Sequence, residues 1–271
     1  MSGLLGLFRS LRRHRELALS LTRRELFAPF AGSGFGVVWA LLHPLLQTLV
    51  YVLVFTFVIK IRFSDAETPR LDMIAYMISG LLSWSAWATV LNNGCSSVIQ
   101  GASLVKQADF PAEVLPVRTV LAAMVPQLVG IAVLLVYVLA RFHVGLATWA
   151  LLPLVLALQG LAMVGVAFSL GALSVFLRDS KELVTVFTTL GIYLTPAFYP
   201  PAMIEGLPAP LRWLLQLNPF THFMNVMRDC LFWGSFTHPW SWLIVTLLSL
   251  LVAGVSYRVF DRLKIFFGNF V

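Results

Sequence analysis

The sequence predicts an all-α membrane protein with six transmembrane helices. Of its 271 residues, 59% are hydrophobic and only 11% are charged, whereas roughly a quarter of the residues in a soluble domain are charged. The hydrophobic residues are concentrated in runs, and an apolar helix of about 20 residues crosses the hydrocarbon core of a bilayer. The predicted spans cover residues 36–59, 73–99, 117–140, 149–177, 183–199 and 240–257.

Residues 1–35 differ from the segment 36–271, which holds all the spans, and we predict that they form an amphipathic interface helix on the membrane surface. Apolar residues recur there at helical spacing, with arginines between and beside them. The apolar positions are Leu4, Leu7, Phe8 and Leu11, and the nearest basic positions are Arg9, Arg12, Arg13 and Arg15. Such a helix buries its apolar face in lipid and turns its arginines toward anionic headgroups. The simpler alternative is a basic flank that only sets the topology.

The segment between the fifth and sixth spans, residues 200–239, is less apolar than the spans. Four prolines interrupt it: Pro201, Pro208, Pro210 and Pro219. Because proline ends or kinks helices, we expect short re-entrant helices that enter the membrane from outside. A seventh span over residues 211–233 is the alternative. It would place Arg212, Arg228 and Asp229 in the hydrocarbon core, where charged residues are costly.

The lysines and arginines indicate how the chain is oriented, because they accumulate on the cytoplasmic side of membrane proteins. With six spans and both termini in the cytoplasm, about two thirds of the 19 basic residues lie on that side. The formal net charge of +7 is therefore explained by topology, and we expect no nucleic-acid partner.

The sequence contains no motif of a catalytic, nucleotide-binding or metal site. It lacks the P-loop pattern and the His-Glu-x-x-His and Gly-x-Ser-x-Gly motifs, and Cys95 and Cys230 are too isolated for a zinc site. The span interiors hold essentially no ionisable residues, although ion-coupled transporters usually place some at mid-membrane. We therefore expect a non-enzymatic transport subunit, and a partner ATPase fits its need for energy.

Eight stretches, in order along nearly the whole chain, carry a family resemblance. They are residues 21–26 (LTRREL), 36–46 (GVVWALLHPLL), 55–60 (FTFVIK), 79–84 (SGLLSW), 102–116 (ASLVKQADFPAEVLP), 176–179 (FLRD), 195–200 (TPAFYP) and 217–221 (LNPFT). With them, the chain resembles the membrane permeases of ABC type-2 exporters, in the branch that exports lipid-linked polysaccharides such as O-antigen, capsule or teichoic acid. It departs from the family at His43, where asparagine is frequent, and at Ser83, where proline is frequent.

The resemblance implies a homodimeric permease in the bacterial cytoplasmic (inner) membrane, with both termini in the cytoplasm. It would bind two copies of a separate ABC nucleotide-binding subunit, and that partner would hold ATP and Mg²⁺, so that this chain needs no cofactor or metal. Its other partners would be a lipid-linked polysaccharide and membrane lipid. One alternative is a type-2 permease for small hydrophobic drugs or other lipids. Another is a membrane-embedded enzyme or assembly protein without transport activity.

The resemblance also assigns roles at the cytoplasmic side. Residues 100–115 would form the coupling helix that docks into the ATPase, and a plain connecting turn is the alternative. The coupling candidates are Lys106, Asp109, Phe110, Pro111 and Glu113. Arg12, Arg13 and Arg15 of the interface helix would contact the pyrophosphate of the lipid carrier, or lipid headgroups in general.

On the external side, the segment between spans five and six would be a gate, and a passive loop is the alternative. The gate candidates are Asn218, Pro219 and Arg228, and the simplest role for Arg228 and Asp229 is to pair with each other or with other polar groups of the gate. Aromatic rings would stack on the sugars of a moving polymer, although most aromatics in such helices face lipid or other helices. The channel-lining candidates are Tyr51, Phe55, Trp84, Trp87, Phe198 and Tyr199.

Overall fold

The computed structural model describes residues 4–30, 32–35, 38–54, 72–106, 110–143, 145, 147–199 and 201–270. Every regular element within these ranges is helical, as predicted. The helices are α1 (Leu4–Arg13), α2 (Arg15–Phe27), α3 (Val38–Leu53), α4 (Met73–Gln100), α5 (Ala102–Val105), α6 (Val114–Phe142), α7 (Leu152–Phe176), α8 (Ser180–Leu194), α9 (Pro201–Glu205), α10 (Ala209–Leu217), α11 (Pro219–Arg228) and α12 (Pro239–Phe270). A 3₁₀ turn, Ala147–Leu151, leads into α7, and a π-helical turn, Asp229–Trp233, follows α11.

Four helices in the described part of the chain are long and apolar enough to cross a membrane. They are Met73–Gln100, Val114–Phe142, Ala147–Phe176 and Pro239–Gly268. They correspond to the predicted second, third, fourth and sixth spans, but the last continues well beyond its predicted end at residue 257. Its 32 residues extend about 48 Å at 1.5 Å per residue. This length exceeds a hydrocarbon core of roughly 30 Å, so one end of α12 projects beyond it.

The predicted first and fifth spans correspond to shorter described helices. α3 has 16 residues, and positions 55–59 of that prediction lie outside the described residues. α8 has 15 residues and ends at Leu194, not near Tyr199. The reason is Pro196, because the residue before a proline is driven out of the helical region, and Thr195 has an extended backbone.

α4 lies at the centre of the bundle, where it contacts α6, α7, α8 and α11. The most extensive helix contact joins α7 to α12. There a Cβ atom on Gly165 would lie 2.7 Å from the backbone nitrogen of Ala253, a close approach typical of small residues in membrane interfaces. α6 and α7 are joined by two buried amides, with N···O distances of 3.2 Å and 3.4 Å between Gln127 and Gln159.

The N-terminal segment forms two helices instead of the single predicted one, and both pack on the bundle. α1 contacts α12, and α2 contacts α6. The predicted apolar residues of α1 do not share one environment, because the side chain of Leu7 is 1% exposed and that of Phe8 is 57% exposed. We call the end of the bundle that these helices cover the terminal end, because the last turns of α12 also lie there. The other end, which holds the start of α4 and the start of α12, is the opposite end.

Candidate functional site

The opposite end is organised around Arg228, a residue of α11 that is only 1% exposed. Its Nη2 donates to the carbonyl oxygens of Pro196 at 2.7 Å and Ala197 at 2.9 Å, and its Nε donates to that of Tyr76 at 3.4 Å. The guanidinium carbon lies 3.8 Å from the centre of the Tyr76 ring, which adds a cation–π interaction. Arg228 therefore joins α11 to α4 and to the turn at residues 195–199.

Space for this guanidinium exists because residue 80 is glycine. A Cβ atom there would lie 2.5 Å from Nη2 of Arg228, well inside van der Waals contact. Gly80 follows Tyr76 by one helical turn, and residues four apart share a helix face. One face of α4 thus supplies both the aromatic ring and the gap beside it.

Although they are adjacent in the chain, Arg228 and Asp229 bind different partners. The carboxylate of Asp229, which is 1% exposed, accepts hydrogen bonds from the backbone N–H of His238 at 3.1 Å and the indole N–H of Trp242 at 2.9 Å. It also lies 2.8 Å from Nδ1 of His238. Asp229 therefore holds the first turns of α12, and Arg228 holds α4, instead of the two neutralising each other in a direct pair.

The start of α11 is fastened to the same region. Asn218 caps the helix by accepting a hydrogen bond from the N–H of Phe220 at 3.0 Å, and its amide donates to the carbonyl of Leu194 at 2.9 Å. Pro219 is the first helical residue, where its missing N–H has no cost. The structure therefore brings the three predicted gate residues, Asn218, Pro219 and Arg228, together with the end of α8 and the turn after it.

Two of the predicted channel-lining residues, Trp84 and Trp87, are buried within this chain. Both rings meet the ring of Phe220 edge to face, with centroid distances of 5.5 Å and 5.1 Å. The two tryptophans of α4 therefore pack against the start of α11. Trp84 also lies against α8, where a Cβ atom on Gly191 would collide with its ring.

The other channel-lining candidates lie apart from these two or outside the described structure. Phe198 and Tyr199 are half-buried in the turn after α8, and the hydroxyl of Tyr76 donates to the carbonyl of Tyr199 at 3.0 Å. Phe55 lies outside the described residues, and so does the side chain of Tyr51. A lining role for any of the six stays a prediction.

A group of exposed polar side chains, which the sequence analysis missed, lies on α4 and α8. Its members are Thr89 and Asn93 on α4, and Thr185 and Thr189 on α8, and we call it the polar face. The two helices are tied beside it, because the amide of Asn92 donates to Thr188 at 3.0 Å. The three threonine hydroxyls donate to backbone carbonyls of their own helices, and each hydroxyl oxygen can still accept a hydrogen bond from a partner. The spacing of four residues within apolar helices was the signal for this face.

At the terminal end, the predicted coupling residues have very different surroundings. Lys106 is exposed just after α5. Phe110 is half-buried against Ala18 and Leu21 of α2, and Pro111 is also half-buried. Glu113 is only 7% exposed. Asp109 lies outside the described residues.

The carboxylate of Glu113 is bound within the chain. It accepts a hydrogen bond from the hydroxyl of Ser10 in α1 at 2.7 Å, and Nζ of Lys264 in α12 lies 3.5 Å away. Because the carboxylate already has two partners and little exposure, Glu113 does not present a free charge to another protein.

α2 is fixed to α6 by an ion pair in which Nε of Arg118 lies 3.1 Å from Oε2 of Glu25. Burial raises the pKa of Glu25, and the charge of Arg118 opposes that rise. In contrast, the interface-helix candidates Arg12, Arg13 and Arg15 are exposed, as basic residues at a lipid or anionic surface would be.

The sequence is similar to that of known transport proteins along most of the chain. The profile of the ABC-2 type transporter family matches residues 16–232. The chain is 32% identical over 224 residues, 82% of each chain, to the O-antigen export system permease protein RfbA of Myxococcus xanthus. It is 26% identical over 256 residues, 94% of each chain, to the protein of the same name from Klebsiella pneumoniae. It is 24% identical over 241 residues, 86% of each chain, to the capsule polysaccharide export inner-membrane protein CtrC of Neisseria meningitidis. The chain therefore belongs to the ABC-2 type transporter family and is a multi-pass membrane protein.

Proposed function

We propose that the chain is the permease subunit of an ATP-driven exporter that moves a lipid-linked polysaccharide of the O-antigen type across the bacterial cytoplasmic membrane. The observation that carries this proposal is the match over 94% of the chain to a relative named as an O-antigen export permease. A capsule export protein also matches, so the common element is a polysaccharide and not one particular sugar. A separate ABC subunit would bind ATP and Mg²⁺ and hydrolyse ATP.

The proposed topology has six spans, with α3 and α8 added to the four long helices. The terminal end faces the cytoplasm, and the opposite end faces outward. The excess of lysine and arginine in the terminal-end segments supports this orientation. α9, α10 and α11 then form the re-entrant gate on the external side, held by Arg228 and Asn218. On the cytoplasmic side, Arg12, Arg13 and Arg15 of α1 face the anionic headgroups through which the lipid carrier enters.

The polar face supports a polymer with many hydroxyl groups as the substrate. Thr89, Thr185 and Thr189 each donate their hydroxyl to a backbone carbonyl of their own helix, so their oxygens remain able to accept hydrogen bonds. A second copy of the chain would close a conduit around this face, and a homodimer with two ATPase subunits supplies that copy. A hydrophobic substrate would gain little from such a surface.

Deletion of the gene with plasmid complementation tests the proposed function. We expect the deletion to remove polysaccharide from the cell surface and to leave lipid-linked chains inside the cell, both visible on carbohydrate-stained gels. Surface polymer that persists, with no internal chain, would disprove the proposal. Normal polymer with a new sensitivity to hydrophobic drugs would favour the alternative, a type-2 permease for small hydrophobic compounds.

Reversal of one charge tests the docking surface. Lys106 is exposed beside α5, so Lys106→Glu leaves the packing of the chain intact but places a negative charge in the proposed contact. We expect at least a tenfold loss of the ATPase that co-purifies with the permease, because like charges across an interface are strongly unfavourable. Lys181→Glu, at another exposed lysine at the start of α8, is the matched control. Equal co-purification by both variants would argue against docking at Lys106.

A further inference from the structure

Glu113 lies near the end of the proposed coupling segment, residues 100–115, and joins that segment to α1 and α12. The carboxylate binds Ser10 of α1 at 2.7 Å and faces Lys264 of α12 at 3.5 Å. Lys264 has a second partner, because its Nζ lies 2.8 Å from Asp261. A carboxylate that is 7% exposed is costly to bury unless it is paired. The bonds to Ser10 and Lys264 therefore hold the three elements in one fixed relation.

The packing around this carboxylate makes the same three elements a single unit. α1 lies directly on α12, where a Cβ atom on Gly6 would lie 3.0 Å from the ring of Tyr257. Leu7, the next residue of α1, is 1% exposed. α5 also contacts α12. A displacement of the segment before Glu113 is therefore transferred to α1 and α12 together, because a close-packed interior leaves no free space to absorb it.

α12 extends from this junction to the opposite end of the protein. It is one helix of 32 residues, and Trp242 near its start donates to Asp229 at 2.9 Å. Asp229 is the neighbour of Arg228, which holds α4 and the turn after α8. The contacts are thus continuous from Glu113, through Lys264 and α12, to the residues around Arg228.

We propose that Glu113 is a positioning residue that transmits movement of the coupling segment to α1 and α12, and that it is not a docking contact. This proposal rests on the proposed function, in which residues before Glu113 bind the ATPase. Its role is to keep the junction rigid, so that force applied at Lys106 reaches α12 instead of bending the connection at residues 110–113.

The test compares Glu113→Gln, Lys264→Gln and the double variant in the permease–ATPase complex. Glutamine retains the size of glutamate and an acceptor for Ser10 but removes the charge that attracts Lys264. The readouts are complex yield, the rate of ATP hydrolysis by the purified complex, and surface polymer in complemented deletion cells at equal permease level. Glu16→Gln, an exposed carboxylate of α2, is the matched control.

We expect each single variant to keep complex yield and ATP hydrolysis within about twofold of wild type but to lower surface polymer about tenfold. The double variant should be no worse than either single one, because residues that share one interaction have non-additive effects. Normal export by Glu113→Gln, or a multiplied defect in the double variant, would overturn the proposal. Loss of the complex in Glu113→Gln would assign the residue to docking instead.

Two further measurements keep the outcome interpretable. If Glu113→Gln does not accumulate in the membrane, Ser10→Ala and Lys264→Gln test the same contacts by changing the partners of Glu113 instead. Normal export by both would contradict the proposal. If the wild-type permease restores no surface polymer to deletion cells, the proposed function itself fails, independently of Glu113.

Discussion

Replacement of Arg228 by leucine is expected to abolish export and to destabilise the opposite end of the protein. Three carbonyl oxygens would lose their donor, and a hydrogen bond to a charged group contributes about 1.5–3 kcal/mol. Part of this loss is offset because a buried cation is itself unfavourable. We expect a net decrease of about 3 kcal/mol in the free energy of unfolding, with α11 released from α4 and from the turn at residues 195–199.

The measurements are thermal stability in detergent, protease cleavage within residues 200–239 and surface polymer in complemented deletion cells. Arg228→Lys keeps the charge but not the planar guanidinium, whose Nη2 and Nε reach the turn carbonyls and the Tyr76 carbonyl at once. It should therefore give an intermediate result in all three. Arg212→Leu, a half-buried arginine of α10, is the control and should resemble wild type. Wild-type protease resistance and export in Arg228→Leu would show that the contacts at Arg228 do not hold the segment in place.

The position of Arg228 in an irregular segment could be predicted from the sequence, but its partners could not. Prolines and charged residues mark residues 200–239 as unsuited to a span, and the structure has short helices there. The partners of Arg228 are backbone carbonyls, which every residue carries, so no side-chain pattern identifies them. The adjacent Asp229 was the obvious candidate, but it bonds to His238 and Trp242 instead.

Polar contacts within the bundle were missed for a related reason. Ionisable and aromatic residues are the usual sequence signals of function within a span, whereas the polar face consists of threonines and one asparagine. Trp84 and Trp87 are of the residue type that stacks on sugars, yet their rings pack on Phe220. Composition shows that a residue type is present in a span, whereas its exposure depends on which helix lies beside it.

At the terminal end, the burial of Glu113 could not be predicted from the sequence either. The family resemblance assigned residues 100–115 to a surface that docks to a partner, and Lys106 has the exposure that this requires. Glu113 lies only seven positions later and is buried, because α1 and α12 cover it from distant parts of the sequence. Contacts between residues about 100 or 150 positions apart leave no periodic signal in a single sequence.

The second large effect is expected from Gly165→Ala, at the contact between α7 and α12. The new Cβ atom would lie 2.7 Å from the nitrogen and 2.8 Å from the Cα atom of Ala253. Both are backbone atoms, which cannot rotate away as a side chain can, so the two helices must separate. Overpacking of this kind costs about 1–3 kcal/mol, and we expect a value near the upper limit because this is the most extensive helix contact.

Gly160→Ala on the same helix is the matched control for Gly165→Ala. Its Cβ atom would meet the sulfur of Met124 at 3.1 Å, and a methionine side chain adapts easily, so the thermal midpoint in detergent should hardly change. Equal midpoints for the two variants would show that α12 can shift without loss of packing. Export should fall further in Gly165→Ala than its midpoint alone suggests. The reason is that a displaced α12 carries both Lys264, which meets Glu113, and Trp242, which holds Asp229.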